Sequence, residues 1–369
     1  NNFELLVGTA GAFTYWDGPY TTANNKVDGG TYTWDAATTN WTTSGGAPNG
    51  IWAGGAATAM FTAGTGTVTV NGTQSIGGMS FTAFAGDYIL SPGTTSALSL
   101  AQDSTITVAT VTATIEVPLT GSFGIIKGGD GTAVFSAANT YTGTTTISQG
   151  ALIVSNSNAL GSASSGTSVN STTLVKGALG LQGGISISAE PLTLEGSGIG
   201  ITSPGALYNV SANNTYGGPI TLSGAATIAN NASSTTLTIS GNVATAGFGL
   251  TVDNIASVAM SGIISGTGSF EKTGAGTTTL SGANTYSGTT KVTEGTVSYG
   301  NNSGVPAGSV LTVASLATLS ANSLKSITRS ANTTIDGTLD LGSGGAITLT
   351  AGTHTIKAIA GSGSITVNT

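Results

Sequence analysis

The side chains that could carry acid–base or metal chemistry are few, and their spacing does not assemble them. The 369-residue chain has one histidine, fifteen Asp and Glu, eight Lys and Arg, and no cysteine. His354 sits in the strand-like stretch THTIKAIA, which places it on a ladder position rather than against a second group able to make it a general base. Asp336 and Asp340 in TIDGTLDLG share strand parity. Four residues of extended chain set them ~13 Å apart, beyond the ~5 to 9.5 Å of a glycosidase carboxylate pair. Glu190 and Glu195 flank PLTL with opposite parity and read as bend residues. No G-x-S-x-G elbow precedes a helix, so the many serines lack the context of a nucleophile. Without cysteine there is neither a thiolate metal site nor a disulfide framework. Gly128, Gly129, Asp130 and Gly131 match the calcium-binding nonapeptide only in part; Asp17, Asp28 and Asp35 are left as weak carboxylate ligands for adventitious calcium. No catalytic, cofactor-binding or metal-binding residue is expected, and the reading is non-enzymatic.

Composition says what holds such a chain together. Charged residues make up 6%, aromatics 6%, and glycine contributes 58 residues, while mean hydropathy is positive. Disordered chains combine low hydrophobicity with high net charge, so this one is ordered, with a surface of Thr, Ser, Asn and backbone. The net charge of −7 is spread thinly, and no basic groove for nucleic acid is encoded. No apolar run reaches the ~18 residues of a membrane-spanning segment, and no series of ~10-residue lipid-facing strands appears. The start at Asn1 shows no secretory signal and is compatible with a processed chain.

Strand signals dominate. Runs such as GTVTVNG, STITVATVTATIEV, TTLTISG and GTLDLGSGGAITLT are rich in Thr, Val and Ile and are punctuated by Gly, Asn or Ser. No capped apolar pattern of helical period is present. Residues 31–90 differ from the rest: Trp34, Trp41 and Trp52, with Trp16 just upstream, concentrate all four tryptophans near the start. This block reads as a cap over first coils; alternatively, Trp16, Trp34, Trp41 and Trp52 offer indole faces to glycans. Residues 1–30 form an extension in which Phe3, Leu5 and Val7 alternate as in a strand. That strand could fold back or pair with the edge of another copy.

The remainder, residues 91–369, is organised by a repeat. KGGDGTAVFSAANTYTGTTTISQGAL at 127–152 returns as KTGAGTTTLSGANTYSGTTKVTEGTV at 272–297, offset by a constant 145 (272 − 127). Gly131, Asn139, Tyr141 and Gly143 correspond to Gly276, Asn284, Tyr286 and Gly288. A worn third copy is read at 213–228, around Tyr216. At ~20 to 25 residues per coil, these spacings predict an all-β, right-handed parallel β-helix (β-solenoid) with equivalent residues on one face. The glycines keep bends clear of a Cβ and the asparagines tolerate left-handed geometry. Leu280, Val292, Phe135 and Ile147 point inward, Thr277–Thr279 and Thr289–Thr290 turn hydroxyls outward, and Tyr286 covers a corner.

This block resembles the autotransporter-associated β-strand repeat of bacterial passenger proteins, and TYTWDAATTNW with the segments after it resembles the Trp-rich start of many of them. The resemblance implies secretion to the bacterial surface and a right-handed β-helix. Two functions follow from different classes. The first is a structural protein that assembles head to tail with itself into an extracellular filament or matrix fibre, through Phe3, Leu5 and Val7. The alternative is an adhesin or carbohydrate-binding passenger. A polysaccharide-degrading enzyme is disfavoured by the missing acid–base pair.

Overall fold

The computed structural model describes residues 14–170, 176–199, 205–321 and 326–368. Phe3, Leu5 and Val7 lie outside them. Among the described residues no helix forms, and short strands joined by bends build a parallel β-solenoid. Two compact units divide at Ser168 and Val169.

In the first unit, strands from successive turns stack as parallel ladders. One runs through Thr58–Phe61, Thr73–Phe81, Ala97–Val108, Ile125–Gly128 and Thr145–Ile147. A second runs through Tyr32–Trp34, Gly66–Val70, Tyr88–Pro92, Thr112–Ile115, Thr132–Phe135 and Gly150–Val154. Ile125 is in register with Thr145, so this turn takes twenty residues (145 − 125). The earliest described strands depart from the pattern. Thr14–Trp16 pairs antiparallel with Trp41–Thr42, which pairs antiparallel with Asn49–Gly50, and Thr14–Trp16 also joins Thr58–Phe61 in parallel.

The second unit repeats the scheme. Leu250–Asn254, Phe270–Thr273, Thr290–Val292, Leu311–Val313 and Thr333–Asp340 form one ladder. Ser257–Met260, Thr277–Leu280, Gly295–Tyr299 and Ala317–Ser320 form the next. Strand alternation sends every second side chain inward; Phe135, Ile147, Leu280 and Val292 are all fully buried, as their parity requires.

The third copy is out of phase. Tyr216 stacks on Ile239, and Ile239 lies in the column of Met260 and Leu280. Tyr216 therefore occupies the place of Leu280 rather than that of Tyr286. Sequence spacing alone could not detect this, because turn length varies: Tyr216 to Ile239 takes 23 residues (239 − 216) but Met260 to Leu280 takes 20 (280 − 260).

Candidate functional site

The two good copies build the same buried constellation from equivalent residues. Lys127 and Lys272 sit on inward strand positions and are fully buried. The Lys127 ammonium donates to the carbonyls of Gly128 (3.0 Å), Gly129 (2.8 Å) and, one turn on, Gln149 (2.9 Å). Lys272 donates to Thr273, Gly274 and Glu294 in the same way. The carbonyls belong to bends where Gly129 and Gly150, or Gly274 and Gly295, take positive φ, a conformation that costs glycine little. Burial pushes both ammonium groups down to about 8, and nearby carboxylates (Asp130 for Lys127; Asp253 and Glu294 for Lys272) oppose that shift.

Asn139 and Asn284 form the second part. Asn284 Oδ1 accepts from the Ile264 N–H (2.7 Å) and its Nδ2 donates to Gly304 O (2.7 Å). Asn139 accepts from Leu119 N–H (2.9 Å) and donates to Ala159 O (2.6 Å). Neither takes a left-handed φ, so the turn role expected of them is replaced by a staple between turns. Such a staple satisfies buried backbone groups that would otherwise cost ~1 to 3 kcal/mol each.

Tyr141 and Tyr286 form the third part, and they lie in the core rather than over an outer corner. Tyr141 Oη lies 2.6 Å from Thr145 Oγ1 and Tyr286 Oη 2.7 Å from Thr290 Oγ1. Thr290 continues to Ser309 Oγ (2.7 Å). The hydroxyls of Thr278 and Thr290 therefore face inward, against the outward orientation expected; Thr278 donates to Asn254 Oδ1 (3.0 Å). Gly131, Gly143, Gly276 and Gly288 are required by close approach between turns. A Cβ on Gly276 would lie 2.2 Å from Ala256 O, and one on Gly288 2.3 Å from Gly268 O.

The tryptophans are not a platform. Trp16, Trp34 and Trp41 are at most 1% exposed and Trp52 is 6% exposed. Trp41 packs against Trp16, Trp34 and Trp52 at centroid distances of 5.1, 4.8 and 4.5 Å. Trp16 Nε1 donates to Gly30 O and Trp52 Nε1 to Ser75 O, both at 2.8 Å. With their faces packed on one another they cannot stack on a sugar, and the glycan role assigned to them is withdrawn. Indoles bury more apolar area than any other side chain, which fills the wide space between the antiparallel entry strands and the first parallel ones.

The titratable groups singled out in the sequence do not converge. Asp336 pairs with Lys357 at 2.6 Å, Asp340 accepts from the Gly342 N–H, and His354 Nε2 lies 2.8 Å from Ala351 O. Glu190 is buried, with its carbonyl accepting from Tyr216 Oη. Glu195 lies over Gly224. Asp17 accepts from Asp28 N–H and Asn49 Nδ2, and Asp35 from Ala37 and Thr38 N–H. No group of three His, Cys, Asp or Glu able to hold a metal occurs among the described residues.

A polar column escaped the sequence reading. Asn209, Asn230 and Asn254 stack in register and are buried. Asn230 Nδ2 donates to Thr235 O and Ser257 O, and Asn254 Nδ2 to Ala256 O and Thr277 O. At the following bend the Lys272 ammonium takes over this work. The signal was available: an asparagine closing an apolar strand in consecutive turns, at 230 and again at 254.

The regions 125–154 and 270–298 match the model of the passenger-associated-transport-repeat. The chain carries two copies of this repeat. Each match begins just before the buried lysine and ends with the strand after the second bend, so each matched region holds the lysine, asparagine and tyrosine–threonine constellation together. The chain is also similar to the adhesin BmaC autotransporter of Brucella suis biovar 1 (strain 1330). The two are 36% identical over 197 residues, which is 52% of this chain and 5% of that protein's length. No solved structure matches.

Proposed function

We propose that this chain is a non-enzymatic length of an autotransporter passenger that serves in adhesion at the bacterial surface. The observation that carries the reading is the similarity to a protein named as an adhesin autotransporter, over a segment as long as about half of this chain. The two transport repeats support it. So does the arrangement of Asp336, Asp340 and His354, each engaged in a local bend or ion pair. Head-to-tail assembly into a filament, the first expectation, rests on Phe3, Leu5 and Val7 and has gained no such support; the adhesin is preferred. Displaying the chain on a non-adherent bacterium should raise attachment to epithelial cells or matrix several-fold over a display scaffold alone. Attachment no higher than that of the scaffold would count against adhesion, and rods joining into fibres under the electron microscope would restore the filament.

A further inference from the structure

We propose that the face of the first unit around Gly78 and Asp103 is a binding groove for a neutral oligosaccharide. The inference deepens the adhesin reading and rests on it for a biological partner. It starts from a break in the ladder: Ile76 pairs with Leu100, but Gly78 pairs with Thr105. The lower strand thus carries three additional residues (five steps against two), a widened corner within Ala97–Val108 that includes Gln102 and Asp103.

This corner lines a shallow hollow of about 400 Å³ together with Met60, Gly78, Thr105 and Thr107. A smaller hollow of about 150 Å³ adjoins it and shares Asp103, with Ile126, Thr144 and Thr146 in its wall. Thr58, Gly78, Thr105, Ile126 and Thr146 are register partners in successive turns. At ~4.8 Å per turn the trough is ~19 Å long, suited to a short linear chain. Gly78 lines the dent without a side chain, and a Cβ there would lie 2.8 Å from Thr105 O.

The lining selects the ligand. Among the described residues Asp103 is the only charged one lining either hollow, and none of those lining residues brings a cation to bind a phosphate, sulfate or uronate. An anionic polymer would meet a carboxylate without compensation. What the trough offers is hydroxyls, an amide, one carboxylate and the apolar edges of Met60 and Ile126, which match the hydroxyls and C–H faces of a neutral sugar. The polar arms are held in advance. Asp103 Oδ1 accepts from the Gly124 N–H (2.8 Å), leaving Oδ2 for a ligand, and Gln102 Nε2 donates to Gly77 O (3.2 Å), leaving Oε1. Pre-ordered side chains lower the entropic cost of binding.

The test is an array of neutral, sialylated, sulfated and uronic-acid glycans probed with the purified chain. Neutral oligosaccharides should be retained selectively. Asp103→Asn, which keeps an acceptor for the Gly124 N–H, and Gln102→Ala should each weaken retention about tenfold, the effect of one lost polar contact. Thr105→Arg, an exposed ladder position, should abolish it by filling the dent, whereas Thr277→Arg in the second unit should bind like the parent. Thermal melting checks that the variants fold; should Thr105→Arg fail, Gln102→Ala decides. No retention of neutral glycans, equal retention of acidic ones, or unchanged binding by Gln102→Ala and Asp103→Asn overturns the groove. If displayed cells adhere while the array is blank, the groove fails and the adhesin stands. If the array is positive and groove-dependent but cells do not adhere, adhesion fails and the groove stands.

Discussion

The tryptophan-filled turns at the start of the first unit and the turns that carry the repeats solve one problem with opposite materials. In the former, antiparallel strands enter a parallel ladder, and indoles with Phe61, Phe81 and Tyr88 occupy the irregular interior; Phe61 and Phe81 stack at 4.6 Å. In the latter the interior is narrow and regular, and ordered polar groups cross it: an ammonium on three carbonyls, an amide joining neighbouring turns, a phenol on a threonine. Non-directional burial tolerates an irregular shape, whereas directional hydrogen bonds demand a repeating one. Bulk fills the first region and register is fixed in the second.

Replacing Trp41 by Ala should have the largest effect, because the ring touches three other indoles and Phe61. We expect a loss of about 3 to 5 kcal/mol, read by denaturant titration. Since every tryptophan lies in this region, the intrinsic fluorescence of the remaining ones reports on it alone. A cost below about 1 kcal/mol would mean that the cluster is loosely packed and that the contrast with the repeats is wrong. Asn284→Ala comes next. It strands the Ile264 N–H and the Gly304 carbonyl, at about 2 to 4 kcal/mol, and it should leave tryptophan fluorescence at its native value when the second unit first opens.

The lysines give a pH signature. Their folded values, about 8, lie below the ordinary value of 10.5, so between these limits the unfolded chain binds more protons and stability rises with pH. The contribution is complete above 10.5 and is lost as pH falls through 8. Buried Tyr216, Tyr286 and Tyr299, whose phenols burial pushes upward, act in the opposite sense above pH 10, which leaves pH 8 to 9.5 as the clean window. There, stability should increase by about 1.5 kcal/mol for each lysine, about 3 kcal/mol for the two together, and Lys127→Met with Lys272→Met should flatten the increase. Equal slopes in parent and double variant would show that the ammonium groups are not desolvated. The smallest effect belongs to Phe84→Ser: the side chain is 90% exposed, and a change beyond about 0.5 kcal/mol would reveal a contact outside the aromatic core.

Much of the architecture was legible in the residues themselves. Alternating Thr, Val and Ile between glycine corners specify strands, a constant offset specifies turns, and inward parity placed Phe135, Ile147, Leu280 and Val292 correctly. What failed was anything that depends on which neighbour a side chain meets. Tyr286 and Thr290 share a stretch with a polar look, and only the stacking of turns shows that they face one another inside. Asn284 has the type of a turn former, but its partners lie in the turns above and below. By type the tryptophans suit a cap and, alternatively, a glycan platform; only their inward orientation removes the second. Three turns from Tyr216 end at Leu280, six residues short of Tyr286, so a spacing of 70 does not bring the two tyrosines to one place.

The buried ammonium groups also bear on survival among proteases. Trypsin-like enzymes need a basic side chain on an accessible, extended segment, and this chain has only eight Lys and Arg. Lys127, Lys272 and Arg329 are fully buried, with Arg329 donating to Pro306 and Ser309 carbonyls. The residues that lock the bends are thereby removed from the inventory of cleavable sites. Cutting at any of the three must wait for the surrounding turns to open, so these sites act as tamper seals on the solenoid core.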